Sequence, residues 1–539
     1  MQILRPRVHS GKAFRLRGLA RLARSAITLQ SLRLMMTIRA ALRCSPALLP
    51  VAFFLAAVLA PPLNHDVAAV LAFSQRWLDG GHLYVDLIDV NPPLIFVLNL
   101  LPASLAARFG IDAVTALKGC LLAWGAAVWL LALCVRDRAA GGPVERALLL
   151  VLPGLFVFAP GYDFGQRDCL MVASAVPYVY LAARRANGEA PRGRIAAAAL
   201  AAVGFALKPY FLGLPVLVEA GVAVAVGRLR WRRDPVPWTM AALWLVYLAC
   251  LPILFGAYLF RVVPMVWDLY IGLSGLSVLD TLELPRVGTA ALALVALLWV
   301  AFRSRAGGRL PRILGLAALG ALASTLVQGK GWSYHVVPLE LLTLALATVL
   351  AARFLDALEA TRLLAAPVLV GILGAAFVAW AAENDQAPWN ELTYRDSDVA
   401  HLTTLLRHTA EGGRVLVLSP QISPIFPALN YAHARQTFMS MSMWMLQGSY
   451  EKCLPDGRRY REISEMPPFE ALVFRDVAEQ MTRQPTAVIV DRWPGIPDCN
   501  DVPFDFIAYF SRDPTFAEAW SHYRPAGEWE RFRLYTRAE

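Results

Sequence analysis

Residues 61 to 99, PPLNHDVAAVLAFSQRWLDGGHLYVDLIDVNPPLIFVLN, decide how the rest of the chain is read. The stretch follows the first long apolar run and gathers Asp66, Asp79, Asp86 and Asp89, with His65 and His82 between them, ahead of the breaker Asn91-Pro92-Pro93. Carboxylates are costly beside lipid, so at a membrane boundary they sit where water, a ligand or an opposite charge meets them. DVAAVLAFSQRWLDGG has helical apolar spacing, which would turn Val67, Val70, Leu71, Phe73 and Leu78 toward the membrane. Asp66, at the start of that helix, can serve as its N-cap, as a functional carboxylate, or as both. Asp86 and Asp89, three apart and followed by Asn91, suit a hydroxylated ligand or a divalent ion as well as they suit a turn.

The rest of the chain explains why a membrane is in question. It has 539 residues, 57% of them hydrophobic and 17% charged, and a mean hydropathy of +0.50. That is too apolar for a soluble chain of this length and reads as a polytopic membrane protein. The net charge of +11 sits in short clusters between apolar runs, as in cytoplasmic loops, so nucleic acid is not an expected partner. The seven cysteines contain no CxxC and no Cys/His spacing suited to a structural metal.

Residues 1–44 are rich in arginine and nearly free of acid, which predicts a cytoplasmic N-terminus. The segment is either a basic interfacial helix or an over-long start, with Met35 and Met36 just before a more ordinary one. No function is assigned to it. Spans are expected near 45–63, 112–135, 147–161, 169–184, 194–207, 210–227, 237–258, 286–302, 312–328, 337–352 and 363–381, about eleven in all. The run 93–107 is short, opened by two prolines and closed by Arg108. If it crossed, the clusters at Arg136/Arg138, Arg184/Arg185, Arg228 to Arg233 and Arg303 to Arg312 would all lie outside. If it lies flat at the outer surface, every cluster is cytoplasmic. The flat reading predicts an N-in, C-out all-α bundle over 45–382 with interfacial helices in its first periplasmic loop. Beyond Trp380 charge rises and apolar runs shorten. RVLVLS (414–419) and TAVIVD (486–491) read as buried strands, giving a periplasmic α/β domain over 383–539. Its two cysteines, Cys453 and Cys499, can pair in an oxidising compartment or remain buried thiols.

This topology puts the polar outliers on one face. GYDFGQRDC (161–169) supplies Asp163, Gln166, Arg167 and Asp168 in a loop with little length to spare; the bland alternative is a structural pair of Arg167 with Asp168 or Asp66. Lys208 interrupts VGFALKPYFLG, where it can snorkel or hold a lipid phosphate. QGKGWSYHVVP (328–338) adds Lys330, Trp332, Tyr334 and His335, and an aromatic belt accounts for the rings but not for the histidine. Acid-rich and cation-bearing loops on one side meet the needs of group transfer from a lipid phosphate. A carboxylate takes a proton from an acceptor hydroxyl, and cations stabilise the departing phosphate. Asp66, Asp163 and Asp168 could also hold Mg²⁺ or Mn²⁺, although chain spacing gives no ligand count.

An acid just after the first helix, then GGHLYVDLIDVNPPL, a short charged second outer loop and a Lys-Pro at the third resemble the membrane glycosyltransferases of the GT-C class. The pattern is similar to that of protein O-mannosyltransferases and bacterial lipid A aminoarabinose transferases, the dolichyl-phosphate-mannose-protein mannosyltransferase family. The resemblance covers about residues 45–340. It implies a polyprenyl-phosphate sugar donor, a periplasmic glycan, lipid or protein acceptor, inverting displacement and catalysis on the periplasmic face of the bacterial inner membrane. It matches Asp66 to the family's catalytic acid, Asp163 or Asp168 to the second-loop acid, and Lys208 to the donor-phosphate lysine. The chain departs from the family in having Asp66-Val67 where Asp-Glu is common, and GQRD in the second loop. On this reading His65, Asp86, Asp89, Asn91, Gln166, Arg167, Lys330, Tyr334 and His335 contact substrate. The alternative is a flippase or transporter of lipid-linked sugars, which predicts paired interrupted helices in two related halves. No such repetition is visible.

Overall fold

The computed structural model describes residues 45–539 except 140, 274, 304–307, 382–387, 500–501 and 539; the basic segment 1–44 lies outside the described residues. The chain is mostly helical. It opens with α1 (Ser45–Leu59), α2 (His65–Leu78), α3 (Leu94–Phe109), α4 (Ala113–Val135), α5 (Pro143–Phe158), α6 (Arg167–Arg185), α7 (Arg194–Phe205) and α8 (Gly213–Val226). It continues with α9 (Arg228–Arg232), α10 (Pro235–Leu254), α11 (Val263–Leu269), α12 (Val278–Glu283), α13 (Pro285–Arg303), α14 (Arg309–Gln328), α15 (Ser333–Ala357) and α16 (Ala366–Ala381). Among the described residues, six helical segments are long and apolar enough to cross a membrane: α4, Pro209–Val226 ending in α8, α10, α13, α14 and α15. The other expected spans form helices that are shorter or carry charge at their ends, such as α6, which begins at Arg167-Asp168 and ends at Arg184-Arg185.

The bundle has two chemically distinct ends. At one, Lys118 near the start of α4 donates to the Leu59 and Ala60 carbonyls at the end of α1, so the chain between them leaves and returns at the same end. At the other, Arg353 of α15 grips Glu145 of α5, and Arg185 of α6 holds Glu219 of α8 and Asp234 ahead of α10. Arg185 is therefore a buried structural tie rather than a free loop charge. A buried pair of this kind contributes little net stability but leaves a heavy penalty if one partner is lost.

Within the first loop, α2 and α3 pack on each other. Pro92-Pro93 bring the chain into α3, which stops at Gly110 in the left-handed conformation (φ 63°) that favours glycine. The apolar face of α2 is turned differently from the expectation. Val67, Val70, Leu71 and Phe73 are buried against protein, α3 on one side and the C-terminal domain on the other, whereas Leu78 is 43% exposed.

The C-terminal domain contains α17 (Asp398–Ala410), β1 (Arg414–Leu418), α18 (Ile425–Tyr431), β2 (Arg435–Gln436), α19 (Trp444–Ser449), α20 (Pro468–Thr482), β3 (Ala487–Asp491), α21 (Phe506–Phe510), α22 (Pro514–Trp520), β4 (Tyr523–Trp529) and β5 (Phe532–Arg537). Its sheet runs β2-β1-β3-β5-β4. β1 and β3, the two apolar runs legible in the sequence, lie side by side in parallel, with Val415 opposite Ala487 and Leu418 opposite Val490. Every residue of β3 is buried, as expected of a central strand covered on both faces. The antiparallel β4–β5 hairpin completes the sheet. Cys453 and Cys499 are joined in a disulfide. The domain is stitched to the first loop by backbone partners: the Ile88 amide donates to the Met439 carbonyl, Asn430 to the Ala68 carbonyl, and the Leu63 amide to the Tyr431 hydroxyl. Arg76 adds bonds to the Thr437 and Phe438 carbonyls.

Candidate active site at the start of the first-loop helix

The site is built on a cap. Asn64, not Asp66, is the N-cap of α2; its Oδ1 accepts from the Asp66 amide (3.0 Å) and sits near the Val67 amide (3.4 Å). The Asn64 Nδ2 donates to Asp163 Oδ1 (3.1 Å), and Gln166 Nε2 donates back to Asn64 Oδ1 (3.0 Å). Because Asn64 satisfies the orphan amides of the first turn, the Asp66 carboxylate is released to face other groups. Its Oδ2 accepts from Gln166 Nε2 at 2.9 Å and lies 3.4 Å from Arg167 Nη2. Its Oδ1 is 3.7 Å from His65 Nε2, and the other ring nitrogen of His65 shares a hydrogen bond of 2.9 Å with the Tyr162 hydroxyl. Burial raises the Asp66 pKa, but His65, Arg167, the Gln166 hydrogen bond and Lys208 outweigh it and hold the carboxyl below its ordinary value. Asp66 is therefore charged at neutral pH.

The loop between α5 and α6 provides the cation. Arg167 is buried at the start of α6, and its Nη1 has no hydrogen-bond partner among the described residues. A buried guanidinium that spends one nitrogen on a carboxylate and leaves another unused is unusual, because an unpaired buried donor is costly. Asp168 faces the other way. It is fully buried and accepts from Lys208 Nζ at 2.7 Å, while Gln328 Oε1 accepts from the same ammonium at 2.9 Å. Lys208 lies over the Tyr334 ring, 5.1 Å from its centre. Burial depresses the lysine to about 8, with Asp168 opposing the shift. His335 packs edge-on to Tyr334, and its Nδ1 has no partner among the described residues. Trp332, Tyr270 and Trp444 extend the aromatic wall beside it.

No family model matches this chain, and no curated protein is significantly similar to it. The reading therefore rests on the residues themselves, and their positions revise several expectations. Asp163 is buried behind Asn64, and burial pushes it up to about 8, so it is largely protonated at neutral pH and supports the cap through Asn64. Asp168 is the mate of Lys208. Asp89, buried and raised to about 6 by desolvation, accepts from the Asn91 amide and side chain; it stays within the electrostatic reach of Arg167 and Asp66. Asp86 turns outward, bonded to His82, into a cleft of about 810 Å³ between the first loop and the C-terminal domain. Lys330 spends its three protons on the carbonyls of Tyr270, Ile271 and Leu273, stapling the 259–277 segment to the end of α14. It is a structural clip, not a free cation. Among the described residues no three metal-binding side chains converge. Asp66, Asp163 and Asp168 each bond a different protein donor, so the site offers no preformed cradle for Mg²⁺ or Mn²⁺. Asn64, Tyr162, Gln328 and Tyr270 were not picked out in the sequence. Asn64 carried a signal, a good capping residue two places ahead of the acid.

These positions give a first prediction. A carboxyl whose folded pKa is about 8 instead of 3.8 contributes stability that is fully present below pH 3.8 and lost as pH rises through 8. Asp163→Asn keeps the oxygen that accepts from Asn64 and removes the titration. Its melting temperature relative to the parent should rise between pH 5 and pH 9, by the equivalent of several kcal/mol at most. Activity at neutral pH should stay within about fivefold of the parent. A constant offset across that range would show that Asp163 is not the titrating group.

Proposed function

We propose that the protein is an integral membrane glycosyltransferase of GT-C type that moves a sugar from a polyprenyl-phosphate donor to a hydroxyl acceptor, with inversion. The observation that carries this reading is the pairing, at one end of the bundle, of a charged, largely buried Asp66 with a buried Arg167 whose second nitrogen is unused among the described residues. Asp66 orients the acceptor hydroxyl and takes its proton as the bond to the anomeric carbon forms. A low pKa makes Asp66 a weak base at rest, and the match improves as the attacking oxygen becomes acidic in the transition state. The sugar–phosphate bond breaks with its electron pair on the phosphate oxygen, where Arg167 and the Lys208 ammonium stabilise the developing charge. No covalent sugar–enzyme bond is needed for one displacement with inversion. The wall of Tyr270, Trp332 and Tyr334 suits the apolar face of a sugar ring. Exposed Phe260, Trp267 and Leu279 on the segment before α13 offer a path for the polyprenyl chain.

The proposed topology is eleven spans, α1, α4 to α8, α10 and α13 to α16, with α2 and α3 lying flat. Supporting it, the chain between α1 and α4 begins and ends at the carboxylate end, and the arginine clusters gather at the opposite end. On this proposed topology the site and the C-terminal domain face the periplasm and the N-terminus lies in the cytoplasm.

Purified protein in nanodiscs, given radiolabelled polyprenyl-phosphate sugars and an envelope extract, should release polyprenyl phosphate and label an acceptor. Liposome transport of lipid-linked sugar with no product formed would replace the transferase by the transporter. Activity should fall as pH rises above about 8, when Lys208 loses its proton. Lys208→Arg should move that limb upward by at least one pH unit, since a guanidinium stays charged; an unmoved limb would assign it to another group.

A further inference from the structure

Five arginines converge at the end of the bundle far from Asp66. Arg136 after α4, Arg184 at the end of α6, Arg309 and Arg312 at the start of α14 and Arg353 near the end of α15 line a cavity of about 370 Å³. Two carboxylates share the lining, and both are committed. Glu145 accepts from two nitrogens of Arg353 (2.9 and 2.8 Å), and Asp137 accepts from the Ala139 amide (2.8 Å). Arg184 is occupied by Glu189 and by the Val135 and Arg136 carbonyls. What remains is an excess of positive charge. Arg136 Nε is buried without a hydrogen-bond partner among the described residues, and Arg309 has no ion pair among them. The first turn of α14, a helix of 20 residues, opens after Gly308 with no side-chain cap among the described residues. Exposed apolar side chains stand on the helices that line the cavity, with Leu150 next in sequence to the lining residue Leu149 and Phe354 next to Arg353.

We propose that this cavity binds the phosphate-bearing headgroup of an anionic phospholipid, with Arg136 and Arg309 contacting the phosphate and the flanking residues receiving the acyl chains. The leaflet, cytoplasmic, rests on the topology proposed above; the site itself does not depend on the transferase chemistry. Cationic pockets between the ends of membrane helices bind acidic headgroups in this way. A lipid is favoured over a soluble anion because the cavity lies at the helix ends, where a headgroup is delivered at high local concentration, and because apolar surface continues beyond the arginines.

The test uses the full chain in detergent, with dioleoylphosphatidylglycerol and dioleoylphosphatidylcholine as probes and native mass spectrometry to count bound lipid. The parent should bind the anionic lipid about tenfold more tightly than the zwitterionic one. Arg136→Gln with Arg309→Gln should erase that preference. Arg228→Gln with Arg230→Gln, which removes the same charge from an exposed cluster outside the cavity, should keep it. If the cavity double variant does not fold, Arg309→Gln alone is expected to reduce the preference at least threefold. Retention by the cavity variant, or equal loss in both variants, overturns the proposal. So does sodium pyrophosphate if it protects the protein against thermal unfolding as well as the lipid does, which would make the ligand a soluble anion.

Discussion

Asp66→Asn is expected to lower sugar transfer by about 10²- to 10⁴-fold while the protein still inserts and elutes as a single species. The substitution preserves the shape of the first turn of α2, since Asn64 remains the cap and the new side-chain oxygen can still accept from Gln166. It removes the negative charge beside Arg167 and the basicity needed to receive a proton. Loss of one member of a buried ion pair has a stability cost of its own, so the assay must be paired with a melting curve. Asp163→Asn provides the internal contrast, because it touches the same cap and should leave turnover nearly intact. Wild-type turnover in Asp66→Asn, or equal losses in the two variants, would remove Asp66 from the chemistry.

Arg167→Gln is expected to reduce kcat by about 10²- to 10³-fold, the usual effect of deleting one donor aimed at developing charge. The separation of kcat from KM is the informative readout. If Arg167 acts on the departing phosphate, kcat falls more than KM rises. Arg167→Lys keeps a charge but cannot both hold Asp66 and present a second nitrogen, so it should recover only a minor part of the loss. A purely structural arginine would predict the reverse, with the lysine variant restoring most of the rate.

Local pattern made several features legible. The apolar strands at 414–419 and 486–491 sit beside each other in the sheet, and of the groups in the charged loop at 161–169 Arg167 pairs with Asp66, the contact expected of the structural alternative. These readings worked because strand composition and intolerably placed charge are visible in a few residues. Partner choice was not visible. Lys208 finds Asp168 and Gln328, Lys330 finds three carbonyls of the 259–277 segment, and Asp163 lies behind Asn64; each depends on helices separated by tens of residues or more. The direction of α2's apolar face was misjudged for the same reason, since the sequence shows that the face must be covered but not that a distant domain covers it. The β4–β5 hairpin was missed because YRPAGEW, with Pro525 and Gly527 inside it, reads more like a loop than a strand.

The backbone stitching of the first loop to the C-terminal domain has a practical consequence. A chain shortened to end at Ala381 would lose the partners of the Leu63 amide and the Ala68 carbonyl, which bracket the turn that displays Asp66, and that of the Ile88 amide farther along the same loop. The C-terminal domain thus acts as a splint for that turn. Dissecting its contribution to acceptor choice calls for point changes on its far surface rather than its removal.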